Sequence, residues 1–99
     1  MKITLSRRIE AELEHHFEYG VERFGHRVAE RTFGRVRHMI FQVLPEQPRA
    51  ATYHEDRDVF ERVIPCTPFV FFYRYNARAE EITVLAFYRH SENRDSFEG

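Results

Sequence analysis

Phe69-Val70-Phe71-Phe72-Tyr73 and Ile82-Thr83-Val84-Leu85-Ala86-Phe87-Tyr88, joined by the polar stretch Asn76 to Glu81, decide how this chain is read. β-branched and aromatic side chains dominate both runs, and a length of about seven residues suits a strand better than a helix. The connection is within hairpin range. The two runs therefore predict a β-hairpin at the centre of a small sheet. A charged tail, Arg89-His90-Ser91-Glu92-Asn93-Arg94, follows it. Both faces of the hairpin are apolar. One must receive the rest of the chain, and the other calls for a partner, because large bare apolar patches are uncommon on monomers.

Working back from the hairpin, Val59 to Ile64 reads as a strand interrupted by Glu61 and Arg62, a pattern that an edge strand tolerates. Pro65 and Pro68 bracket a tight connection around Cys66. The polar stretch Glu46 to Arg57 reads as a loop. Before it, Val28, Ala29, Thr32, Phe33, Val36, Met39, Ile40, Val43 and Leu44 form an apolar stripe that predicts a helix from His26 to Leu44. Pro45 and Pro48 stop it. Gly25 separates it from an earlier helix, Arg7 to Phe24, whose stripe is Ile9, Leu13, Phe17, Val21 and Phe24. Ser6 caps that helix, and Glu10 and Glu12 sit where a helix start favours carboxylates. Lys2 to Leu5 alternates as a short strand does. The order is β-α-α-β-β-β, an α+β pattern with a helical hairpin on a small antiparallel sheet. At 99 residues it forms a single domain over 1–99.

The net charge of −1 gives no overall pull towards nucleic acid or membrane. Fourteen of the fifteen basic residues are Arg, the side chain suited to carboxylate or phosphate recognition and to stacking. The charge is uneven. Met1 to Glu22 holds three basic and five acidic residues, and Arg23 to His38 holds five Arg and one Glu. Arg27, Arg31 and Arg35 line one helix face at four-residue steps, either as a solvated face or as a site for an acidic partner. A single cysteine, Cys66, excludes an intrachain disulfide and a Cys-rich zinc site and fits a reducing cytoplasm. The N-terminus does not read as a signal peptide, and no run is long enough to span a membrane. The six histidines show no metal-ligand spacing, so no metal and no cofactor is expected. Phosphate loops and nucleophile elbows are absent. In the tail, His90 could move protons and Arg89 and Arg94 could hold phosphate, or the segment is only a polar strand end.

Tyr19-Gly20-Val21-Glu22-Arg23-Phe24-Gly25, followed by Ala29, Arg31-Thr32-Phe33, Arg35-Val36, Ile40, Leu44 and Pro48, resembles the RelE/ParE family of bacterial type II toxins. So do Arg62-Val63-Ile64-Pro65 leading to Phe69-Val70-Phe71-Phe72-Tyr73-Arg74, and the ending Val84-Leu85-Ala86-Phe87-Tyr88-Arg89-His90 with Arg94. The resemblance covers nearly the whole chain. It implies two helices on an antiparallel sheet, and a cognate antitoxin that wraps the toxin by strand addition or as a helix in a groove. RelE-like members cleave mRNA in the ribosome, and ParE-like members poison DNA gyrase. Val70 stands where the nucleases carry an Arg, Ser96-Phe97 stand about where they carry a Tyr, and the chain lacks their strong positive charge. Arg74 after Tyr73 is similar to the ParE side. The expectation is thus a ParE-like toxin that binds gyrase through Arg74, Arg89, His90 and Arg94, with Phe69, Phe71 and Tyr73 meeting the antitoxin. The alternatives are a ribosome-dependent endonuclease with His90, Arg89 and Arg94 at its active site, and a non-toxic relative that only binds.

Overall fold

The computed structural model describes residues 1–90. Its elements are β1 (Lys2–Leu5), α1 (Arg7–Phe24), α2 (His26–His38), a π-helical turn (Met39–Val43), β2 (Thr52–His54), β3 (Val59–Val63), β4 (Phe69–Asn76) and β5 (Glu81–Arg89). The fold is α+β, with the helical hairpin on one face of a five-stranded sheet ordered β1-β5-β4-β3-β2. β4 and β5 form the central antiparallel hairpin, and β1 runs parallel to β5.

Local chemistry sets the helix ends. Ser6 Oγ accepts the Ile9 backbone N–H at 3.2 Å, which satisfies one orphan donor of α1. Gly25, at φ 93°, lets the chain reverse within one residue into α2, a conformation that a side chain would strain. The second helical run reaches Leu44 as its periodicity predicts, but its last turn widens. The Leu44 N–H bonds to the Met39 carbonyl at 2.8 Å, five residues back, and Pro45 follows.

Strand alternation sorts the hairpin into two faces. Phe69, Phe71 and Tyr73 from β4 and Ile82, Val84 and Phe87 from β5 face the helices, where they join Ile9, Phe33, Val36, Ile40 and Leu44 in the main core. Val84 and Phe87 are three residues apart and would point to opposite faces of a regular strand. A bulge resolves the conflict: Phe72 pairs with Ala86 and Tyr73 with Val84, so Leu85 is left over. The second face is not bare. Val59, Val70, Phe72 and Tyr88 form a smaller buried cluster there, with Ala86 packed against it.

Three expectations about boundaries are corrected. The stretch Glu46 to Arg57 is not all loop, because it contains β2. Only cross-strand contacts make three residues a strand: the tilted Tyr53 and Phe60 rings pack with their centres 4.9 Å apart, and His54 Nε2 lies 2.7 Å from Glu61 Oε1. β3 is consequently not an edge strand, since it pairs with both β2 and β4. Phe24, placed by periodicity on the buried stripe, is 53% exposed at the last position of α1.

Candidate functional site

The register of β4 and β5 decides where the predicted site residues go. Phe69 pairs with Arg89, so Arg89 shares the helix-facing side with Phe69. Its guanidinium lies 5.7 Å from the centre of the Tyr19 ring and 5.9 Å from that of Phe69, within cation–π range of both. Beside it opens a groove of about 210 Å³ between the helical hairpin and the strand ends. Phe24, Val28, Ala29, Phe33, Pro68 and Phe69 supply its apolar walls, with Gly20, Thr32, His16 and Arg89 completing the lining. The His16 ring stands edge-on to Phe69 at 5.3 Å and to Phe87 at 5.6 Å. Phe24 and Val28, either side of the Gly25 turn, are 53% and 40% exposed. Large apolar side chains left this open around a concave surface mark a binding site more often than a structural accident. The groove can hold an apolar side chain, and Arg89 can pair with a carboxylate or carbonyl beside it.

His90 lies at the same end. Its backbone N–H donates to the Pro68 carbonyl at 2.7 Å and ties the end of β5 to the start of β4. Arg94 falls outside the described residues.

Arg74 is elsewhere. It pairs with Thr83, six residues along β5 from Arg89, which places it about 20 Å away at the turn end of the hairpin. There its Nε donates to the Asp58 carbonyl at 3.0 Å and its Nη2 to the Arg57 carbonyl at 3.2 Å. Asp58 is a non-glycine residue at φ 53°, and its carboxylate lies 3.9 Å from Arg74 Nε. Arg74 thus ties the β2–β3 turn to β4. The structure brings Arg89 and His90 together and separates Arg74 from them.

Of the three aromatic residues assigned to a partner, Phe69 lines the groove, while Phe71 and Tyr73 are 0% exposed in the core beneath the helices. The Tyr73 hydroxyl donates to the Pro48 carbonyl at 2.7 Å. Burial pushes its phenol above the usual value, so it stays a protonated donor. The Tyr53 phenol is also raised, chiefly by its hydrogen bond to Asp58. Among the described residues no three His, Cys, Asp or Glu side chains converge to hold a metal ion. No helix there is long and apolar enough to cross a membrane.

Sequence reasoning missed Phe24, Val28, Tyr19 and His16 as site residues. A signal existed for the first two: bulky apolar residues flank a turn glycine, where a helix end cannot cover them.

A family model described as the ParE toxin of the type II toxin–antitoxin system parDE matches residues 3–94. Among solved structures, a chain of the chromosomal ParDE toxin–antitoxin system from P. aeruginosa is similar in fold, with a TM-score of 0.65 and 19% identity. The likeness covers 90% of this chain and 95% of that one. No curated relative matches the sequence.

Proposed function

The chain belongs to the ParE toxin family of type II toxin–antitoxin systems, and on that footing we propose that it acts in the cytoplasm by binding DNA gyrase and is neutralised by a cognate antitoxin. The observation that carries the reading is the open apolar groove with Arg89 at its side. It suits a peptide segment that places an apolar side chain against Phe24, Val28 and Phe69 and a carboxylate near Arg89. Phe71 and Tyr73 contribute by fixing the strand from which Phe69 projects. Arg89, His90 and Arg94 are the residues we assign to the gyrase contact. Arg74 is a more distant contact that also secures the β2–β3 turn. An antitoxin seated in the groove then covers Arg89, so neutralisation and target binding exclude one another.

A supercoiling assay with purified toxin tests this. Gyrase activity falls as toxin is added and returns with antitoxin, while translation in a cell-free system continues. Codon-positioned cleavage of a translated message that disappears in His90→Ala would establish the nuclease reading instead. Full supercoiling with no effect on growth would leave a protein that only binds.

A further inference from the structure

The helices carry opposite charges that the groove does not use. Glu14, Glu18 and Glu22 recur at four-residue steps on α1, and all three are exposed. Glu18 is nine residues from buried Ile9, about half a turn round the helix axis, so this ladder runs along the outer face. On α2, Arg27, Arg31 and Arg35 are exposed at the same spacing, and Arg31 lies about 160° round the helix axis from buried Ala29 and about 140° from buried Val36. Among the described residues neither ladder is engaged in an ion pair. The pairs formed on these helices are Arg8 with Glu12 and His26 with Glu30.

The two ladders match in height. The carboxylates stand three, seven and eleven residues before Gly25, and the guanidinium groups stand two, six and ten after it. Each Glu is therefore level with an Arg to within about 1.5 Å along the hairpin. A two-fold axis parallel to the helices preserves height. It lays α1 of one copy over α2 of another, antiparallel, with Glu22 on Arg27, Glu18 on Arg31 and Glu14 on Arg35, each pairing made twice. A shift by one rung, about 6 Å, would leave only two of the three pairings on each side. Gly34 leaves room for the approach, since a Cβ there would meet only Arg37 Nη2, at 4.0 Å. With a net charge of −1 the copies do not repel as wholes.

We infer that the outer face of the α1–α2 hairpin is self-complementary and docks a second copy of this chain as a four-helix dimer. Exposed ion pairs are individually weak and screened by salt, so the dimer forms at low ionic strength and dissociates at high. The groove lies on the sheet side of the hairpin, so dimerisation leaves it open.

Analytical ultracentrifugation of the full chain tests this. A dilution series at about 30 mM salt gives a reversible dimer, and one at about 500 mM gives monomer. Glu18→Arg and Arg31→Glu each weaken association at least about tenfold, because each sets like charges together twice. Mixing the two variants in equal amounts restores a dimer, because the reversed side chains then meet each other. That rescue also shows that both variants are folded. Monomer throughout at low salt overturns the inference, as does a mixture that stays monomeric. Reversals that leave sedimentation unchanged but abolish antitoxin binding would assign the face to the antitoxin and overturn it equally.

Discussion

The two ends of the β4–β5 hairpin each carry an arginine, and they use it in opposite ways. At the turn end, Arg74 spends its donors on the Arg57 and Asp58 carbonyls. At the open end, Arg89 lies over aromatic rings at the side of a groove walled by Phe24 and Val28. The residue type is the same, and so is the strand pair. What differs is the neighbouring backbone: the β2–β3 turn presents carbonyls to Arg74, and the strand ends present rings to Arg89. An arginine near a functional end is therefore read from what surrounds it, backbone carbonyls for Arg74 and aromatic rings for Arg89.

Substitutions sharpen that contrast. The largest effect belongs to neither end. Phe71→Ala empties a fully buried core position and costs about 3–5 kcal/mol, a large share of a small domain's stability of about 5–15 kcal/mol, read as a fall in the denaturant midpoint. Arg74→Ala comes next. It removes two hydrogen bonds to backbone carbonyls and costs about 1–2 kcal/mol, with faster amide exchange at the β2–β3 turn. Tyr73→Phe costs about 1 kcal/mol by deleting the bond to the Pro48 carbonyl. It also changes the alkaline behaviour. Burial raises the folded-state phenol pKa, so its contribution is full below about pH 10 and is lost as pH rises through the folded value. Stability measured against pH declines less steeply there in the Phe variant. Arg89→Ala costs about 0.5–1 kcal/mol, through the loss of its cation–π contacts with Tyr19 and Phe69. A cost for Arg89→Ala equal to that for Arg74→Ala would erase the distinction between the two ends.

How much of this was legible in the sequence follows from the range of each interaction. The hairpin was legible because its apolar runs outlast any turn-forming residue. So was the main stripe of α2, in which Ala29, Phe33 and Val36 are buried at helical spacing, with Ile40 following in the π-helical turn. β2 was not legible, since Thr52-Tyr53-His54 becomes a strand only through Phe60 and Glu61 across from it. The bulge at Leu85 was hidden for the same reason: which residue is left over depends on the pairing of two strands. That register also separates Arg74 from Arg89, so residue type alone grouped them as one patch. The groove depends on where two helices end relative to a sheet. Phe24 and Val28 fitted apolar stripes on paper, and only the turn at Gly25 shows that they stay largely open.

The most direct test measures antitoxin affinity for Arg89→Ala and Arg74→Ala side by side, with melting temperatures of the free proteins. Arg89→Ala is expected to bind at least about tenfold more weakly with a melting temperature lowered less than that of Arg74→Ala, which keeps native-like affinity. Unchanged affinity for Arg89→Ala together with lost affinity for Arg74→Ala would contradict this expectation and place the antitoxin at the other end of the hairpin.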